Sequence, residues 1–221
     1  MKDKINFLLV DDHPIMREGL TALIECRDTY HVRAQAGSIN QARVLLESNT
    51  FEFAIIDLSM PDGNGLGLVK YIRDHYSHIF ILVMSVMDEN YYAERSIKAG
   101  ANGYIMKGAP SEQVLVAIDQ VLSGRIYLSE VLVEALLSRA VDRRRGAEFI
   151  SVDKLDDQEF EIFQLIGMGL EPRQIANRMA LSSRSVEVCK RRLKNKLMLK
   201  RAVELRQYAI AWISQSMGTV N

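Results

Sequence analysis

Five times between residues 5 and 123 a short apolar run gives way to a helical pattern, and that alternation limits the chain more than any other feature. Residues 5–10 lead into 14–25, 31–36 into 39–47, 53–56 into 66–76, 80–84 into 91–99, and 103–106 into 111–123. Several of the runs are apolar at every position rather than at alternate ones, as in strands covered on both faces. Five such units predict a parallel sheet with right-handed crossovers and helices on both sides. Pro14 suits a first helical turn, which has no use for its missing N–H. Gly100 and Gly124 stand where helix C-terminal caps stand.

A parallel sheet ends all its strands at one edge, and open α/β sheets bind ligands there. The residues just past the strand ends are Asp11 and Asp12, Asp57, Ser85 and Lys107. Taken singly, each has a structural explanation as a turn, a helix cap or a surface lysine. Four strand ends carrying such groups together point to a site. Three carboxylates crowded together repel one another unless a cation intervenes, and a hard divalent ion such as Mg2+ suits oxygen ligands. The set has no His or Cys for acyl transfer and no glycine-rich phosphate loop. It suits Mg2+ and a phosphoryl group, with one Asp as the acceptor oxygen.

Charge divides the chain. The net charge of all 221 residues is +0, which names no partner. Residues 1–128 hold 12 Lys+Arg against 16 Asp+Glu, and the remainder holds 16 against 12. Within 171–206 eleven basic residues face Glu171, Glu187 and Glu204. An acidic half joined to a basic half is the footprint of a nucleic-acid-binding module on another kind of domain, the plainer alternative being a solvated helix face. The longest apolar runs are too short to cross a bilayer, and the N-terminal residues lack signal-peptide architecture. Two cysteines make neither a disulfide framework nor a metal cluster. These features predict a protein of the cytoplasm with no membrane span.

The second half reads as helices. A helix begins around Leu155 with acids in its first turn, where the macrodipole favours them. Phe160, Ile162, Phe163 and Ile166 form its buried stripe, and Gly167 and Gly169 end it. Pro172 opens a short helix through Met179, Ala180-Leu181-Ser182 is a tight turn, and a longer helix covers 183–196. On that last helix Val186, Cys189, Leu193 and Leu197 share one face, while Arg184, Glu187, Val188, Arg191 and Lys194 lie away from it. Two helices and a tight turn, the second helix strongly basic, fit a helix-turn-helix whose second member enters the major groove. A helix over 201–214, with Ala202, Leu205, Ala209 and Trp212, serves either as core or as a contact between copies. Between the halves, 129–141 reads as one more helix and 142–146 as a polar linker.

Leu8-Leu9-Val10-Asp11-Asp12-His13 resembles the opening of bacterial response-regulator receiver domains, and 55–65, around Asp57, resembles their phosphorylation loop. Leu82-Val83-Met84-Ser85 and 100–107, ending at Lys107, complete the resemblance over 4–124. Residues 169–176, 181–186 and 193–197 resemble the LuxR-type DNA-binding domain. Together they are similar to two-component response regulators of the NarL/FixJ class. The resemblance implies a flavodoxin-like, doubly wound five-stranded sheet of order 2-1-3-4-5 over 1–128, a linker over 129–150, and an all-α helix-turn-helix domain over 151–221. It also implies that Asp57 accepts a phosphoryl group from a histidine kinase or a small phosphodonor. Asp11, Asp12, Asp57 and the backbone carbonyl of Ser59 would hold Mg2+, and Lys107 would neutralise the phosphoryl oxygens. Ser85 would turn toward them and Tyr104 would swing inward, although Tyr104 also reads as a plain core aromatic. Glu187, Val188 and Arg191 carry over as groove-facing residues, with Arg184 on the same face. Arg173, Lys190 and Lys196 carry over as phosphate contacts.

The chain departs from the family pattern at Val86, Gly108, Glu187 and Cys189. An acid at 187 suits cytosine N4, so the operator should differ from those of better-known relatives. Phosphorylation of Asp57 would shift the receiver toward a homodimerising state or free the second domain to bind double-stranded DNA, and so regulate transcription. One rival is a receiver that dimerises without phosphorylation. Another is a phosphatase with an aspartyl nucleophile, against which Ser59 stands where such enzymes place a second Asp, so no enzymatic turnover is expected.

Overall fold

The computed structural model describes residues 4–144, 152–179 and 181–217. The chain divides into two compact units, Met1–Val141 and Asp142–Asn221. In the first, β1 (Ile5–Val10), α1 (Pro14–Glu25), β2 (Tyr30–Ala36), α2 (Ile39–Ser48) and β3 (Phe53–Ile56) come in order. The two-residue strands β4 (Ser59–Met60) and β5 (Gly63–Asn64), then α3 (Gly65–His75), β6 (Phe80–Ser85), α4 (Glu89–Ala99), β7 (Gly103–Met106), α5 (Ser111–Leu122) and α6 (Glu130–Arg144) follow.

Five strands form one parallel sheet in the order β2-β1-β3-β6-β7, and β4 and β5 make a separate antiparallel hairpin. Setting the hairpin aside, the order is the expected 2-1-3-4-5. The alternation of side chains along each strand supplies both faces of the sheet. Phe7, Leu9, Phe53, Ile55, Leu82, Met84 and Ile105 pack with Leu20 and Ile24 of α1 and with Val114, Ala117, Ile118 and Val121 of α5. The alternate residues Leu8, Val10, Ala54, Ile56, Ile81, Val83 and Tyr104 are buried as well. Helices therefore cover both sides, which is why β3, and β6 as far as Met84, are apolar throughout. The edge strand β2 carries Arg33 and Gln35 and alternates in exposure.

Boundaries shift where long-range contacts act. β2 starts at Tyr30, one residue before the apolar run, because the Tyr30 ring lies 5.2 Å from Phe7 and its hydroxyl donates to Asp119 at 2.7 Å. α4 starts at Glu89 rather than 91, since the Asp88 side chain accepts from Asn90 N. α6 continues through Asp142–Arg144, which polarity alone had assigned to a linker; arginine is a good helix former. Arg145 and Gly146 lie outside the described residues.

Two ties fix the loop that follows β3. A Cβ on Gly65 would stand 2.2 Å from the Asp57 carbonyl oxygen, so only glycine lets α3 start against that loop. The Asp62 carboxylate accepts from Ile39 N at 2.9 Å and Asn40 N at 3.0 Å, capping α2 from outside. Burial works to raise the Asp62 pKa, but those backbone donors outweigh it and hold the carboxyl below its ordinary value.

The second unit opens with a 3-10 turn, Val152–Lys154, followed by α7 (Asp157–Gly167), α8 (Pro172–Arg178), α9 (Ser183–Lys196) and α10 (Ala202–Met217). Asp156 and Glu159 form a capping box at the start of α7. The bounds of α9 agree with the reading from sequence, and its start is capped by the Ser182 side chain, which accepts from Ser185 N. Ala180 of the expected turn lies outside the described residues. Phe160 and Phe163 meet Trp212 edge-on, with ring centroids 5.4 and 5.7 Å apart. Leu205, Ala209 and Trp212 are core, whereas Ala202 is exposed.

α7 ends where the two glycines stand: Gly167 is its last residue, and Gly169 just beyond has a positive φ of 85°. Gly167 also packs, since a Cβ there would stand 2.5 Å from the Ala209 carbonyl oxygen of α10. Its hydrogen is what lets the two helices touch backbone to backbone. No helix among the described residues is long and apolar enough to cross a membrane. Gly167→Ala is expected to destabilise the second unit by about 1–3 kcal/mol through overpacking. Urea unfolding of the full chain, followed by the fluorescence of Trp212, its one tryptophan, should show the midpoint fall at unchanged slope. An unmoved midpoint would contradict this packing.

Candidate functional site

The sheet delivers the strand-end residues to one place. Asp57 N donates to Val10 O at 2.8 Å and Lys107 N to Ser85 O at 2.9 Å, so the backbone ladder extends one step past the strands and aligns their ends. Lys107 Nζ then lies 2.7 Å from Asp11 Oδ2 and 2.8 Å from Asp57 Oδ2. Asp11 is 3% exposed and Asp57 is 1% exposed. Burial alone would depress the Lys107 ammonium, but the hydrogen bonds and charges of Asp11 and Asp57 outweigh it and hold its pKa above the ordinary lysine value.

Among the described residues three buried side-chain polar atoms lack a hydrogen bond: Asp57 Oδ1, Asp12 Oδ1 and Ser96 Oγ. The burial of Asp57 Oδ1 is costly unless something else satisfies it. One ligand atom each from Asp11, Asp12, His13 and Asp57 lie within 4.8 Å of one another. The His13 ring belongs to this cluster, with Nδ1 3.2 Å from Asp11 Oδ1 and 2.6 Å from Asp12 Oδ1. Sequence reasoning passed over it; its place next to the acid pair was the available signal. A buried unpartnered carboxylate oxygen beside two further carboxylates is a donor set that fits a hard divalent cation. Ser59 lies two residues past Asp57, at the start of the hairpin.

Ser85 is fully buried and its Oγ accepts from Met87 N at 3.3 Å. Tyr104 is also fully buried, and its hydroxyl donates to Met87 O at 2.6 Å. Burial pushes the Tyr104 hydroxyl pKa far up, with a hydrogen bond to Ser85 opposing. Ser85 and Tyr104 are thus in contact, with the ring already inside. Val86, in contrast, is exposed.

The second cluster is on α9. Val186, Cys189 and Leu193 are buried and Leu197 follows them, so one side of the helix is dry. Burial, with Glu159 and Asp156 nearby, pushes the Cys189 thiol up to about 11, as befits a packing residue. On the other side Arg184, Glu187, Val188, Lys190, Arg191 and Lys194 line one open concavity with Ala202 and Leu205 of α10. Lys190 Nζ donates to Glu187 Oε1 at 2.8 Å. Arg173 is exposed in the first turn of α8. Lys196 is not part of the concavity: its ammonium donates to Glu159 Oε2, a buried carboxylate of α7. Arg206 reaches Glu171 at 3.2 Å.

Known proteins are similar to this chain in sequence and in fold. The family described as response regulator receiver domain matches residues 7–119, and that described as bacterial regulatory proteins, luxR family, matches 153–209. The nitrate/nitrite response regulator protein NarL of Escherichia coli is 31% identical over 214 residues, covering 97% of each chain. The oxygen regulatory protein NreC of Staphylococcus haemolyticus is 30% identical over 210 residues, covering 93% of this chain and 97% of its own. The solved structure of RcsB from Salmonella enterica serovar Typhimurium, bound to promoter rprA in the presence of phosphomimetic BeF3-, superposes with a TM-score of 0.68 at 21% identity. That match covers 94% of this chain and 98% of RcsB and speaks for the fold.

Lys107→Ala would leave two buried carboxylates without their cation, and we expect a loss of about 3–5 kcal/mol. Because the folded-state pKa of Lys107 is raised, its contribution is complete below the unfolded lysine value, about 10.4, and is lost as pH climbs through the higher folded value. Circular-dichroism melts of wild type and variant between pH 7 and pH 11 should therefore keep a constant gap up to about pH 10 and narrow only above it. Equal stability at pH 7 would refute the pairing.

Proposed function

The chain belongs to the two-component response regulators of the NarL/FixJ class, in which a receiver domain precedes a LuxR-type DNA-binding domain, and from that premise we propose which residues do its work. As a member it is a DNA-binding transcriptional regulator controlled by phosphorylation. We assign 1–128 to the receiver, 129–150 to the linker and 151–221 to the DNA-binding domain.

The observation that carries the assignment is the orphaned Asp57 Oδ1 among three further ligand atoms and one lysine. An Asp57 carboxylate oxygen attacks phosphorus, and an O–P bond forms as the P–N bond to a kinase phosphohistidine, or the P–O bond of a small phosphodonor, breaks. Asp11, Asp12, Asp57 and the Ser59 carbonyl would hold Mg2+, which when bound supplies positive charge against the phosphoryl oxygens. Lys107 adds a second cation. Ser85 gains a charge-assisted hydrogen bond to the phosphoryl group in place of its long bond from Met87 N. Tyr104, bonded to Met87 and Ser85, follows that change. Ser59 offers no carboxyl for general acid–base work two residues beyond Asp57, so we infer no turnover. The partners are a histidine kinase, a second copy of the chain and double-stranded DNA, in the cytoplasm.

On DNA, α9 enters the major groove with Arg184, Glu187, Val188 and Arg191 toward base edges, while Arg173 meets phosphate. Lys190 and Lys196 join it at phosphate only by leaving Glu187 and Glu159. A second reading, a receiver that dimerises without phosphorylation, draws support from Tyr104, which is already fully buried. Footprints with and without acetyl phosphate separate the two: tightening by the donor favours the first, equal protection the second.

Asp57→Ala should abolish acid-labile labelling by phosphodonor, measured as loss of radiolabel or of an 80-dalton-class mass increment, roughly that of a phosphoryl group. Retained labelling would move the acceptor elsewhere. Arg191→Ala should weaken specific duplex binding by roughly tenfold, about the value of one good base contact, with Trp212 fluorescence unchanged. Undiminished affinity would take Arg191 out of the interface.

A further inference from the structure

We propose that Glu187 reads a cytosine in the major groove and that Lys190 is the positioning residue that lets a carboxylate approach DNA; this rests on the DNA-binding reading above. Along Ser183–Lys196 there are six basic side chains and one acid, Glu187. A lone carboxylate on a surface that meets a polyanion is repelled. Here Lys190 Nζ donates to Glu187 Oε1, so the two side chains approach DNA without net charge. Their exposure is unequal. The Glu187 side chain is 58% exposed and that of Lys190 is 23% exposed. The cation is the inner partner and the carboxylate the outer one. What the pair presents to an incoming ligand is therefore an acceptor, since Glu187 Oε2 has no hydrogen bond among the described residues.

The chemistry of base edges then selects the partner. In the major groove guanine shows two acceptors, and thymine shows one acceptor and a methyl group. A carboxylate is repelled by both. Adenine offers N6–H beside the N7 acceptor, which faces the second carboxylate oxygen unfavourably. Cytosine presents its N4 donor without an adjacent acceptor on the same base, and suits the group best. The place on the helix agrees. Glu187 lies five residues past the Ser182 cap, in the half of the helix that meets base edges when such a helix docks. Arg184 and Arg191, one turn to either side, line the same concavity and supply the attraction that holds the acid in the groove.

The test uses the full chain. Selection from random duplexes defines the half-site, and titration of labelled duplexes carrying each base at every position measures the preferences. Wild type should prefer cytosine by roughly tenfold at one position of the half-site. Glu187→Ala should flatten that position and leave the other positions in place, while binding to unrelated DNA tightens several-fold because Lys190 is left unmatched. Glu187→Gln should move the preference toward adenine, whose N6 and N7 an amide matches. Lys190→Gln should weaken binding to every duplex several-fold and keep the base order. Trp212 fluorescence and circular dichroism confirm that each variant is folded. A Glu187→Ala selection identical to that of wild type would overturn the proposal, and so would a Lys190→Gln variant that alters base order at the cytosine. Failure of wild type to bind any duplex at low salt would instead defeat the DNA-binding reading, and the proposal with it.

Discussion

One ammonium group shared between two buried carboxylates holds the carboxyl edge of the sheet together. Desolvating Asp11 and Asp57 costs several kcal/mol per ion unless an opposite charge and well-placed hydrogen bonds accompany them. Lys107 supplies both, at 2.7 and 2.8 Å. It reaches them because β7 ends level with β6, and Asp57 stands beside Asp11 because its N–H continues the ladder to Val10. The sheet order that puts β1 and β3 side by side is thus the condition for the pocket. A lysine also leaves one Asp57 oxygen unsatisfied, and that remaining acceptor gives the pocket its chemistry.

The second unit relies on a related device with a different outcome. Glu159 closes the capping box of α7 through Asp156 N and accepts from Lys196 at the end of α9. One buried carboxylate therefore fixes both the start of the first long helix and the end of the basic one. With Val186, Cys189 and Leu193 packed on the inner side, α9 presents its outer side rigidly. A rigid element positions base-reading groups better than a loop would.

Much of this was legible from local pattern. The parallel sheet, its strand-end acids, Ser85 and Lys107, and the two faces of α9 all follow from hydrophobic period and from what lies at the end of each run. What local pattern did not contain were contacts between residues far apart in the chain. Asp62 capping α2, the Gly65 approach to the Asp57 carbonyl, and the Glu159–Lys196 pair each join segments more than seven residues apart, where periodicity is silent. Gly167 has a second role that local pattern hides for the same reason. A glycine near the end of a helical pattern resembles a stop signal, and only the backbone of α10 lying against it reveals the other role. The reach of α6 into Asp142–Arg144 shows the converse limit: a run of charges does not mark the end of a helix.

The two pairs on α9 have a consequence for energetics. Of its six basic side chains, Lys190 and Lys196 are already matched to Glu187 and Glu159. Association with a duplex is driven largely by counterions released from phosphates, about 0.9 per phosphate neutralised. Cations that have already met a carboxylate release fewer of them. The ionic-strength dependence of complex formation will therefore be shallower than a tally of Lys and Arg along the helix suggests, and the protein's hold on DNA correspondingly less sensitive to changes in potassium concentration.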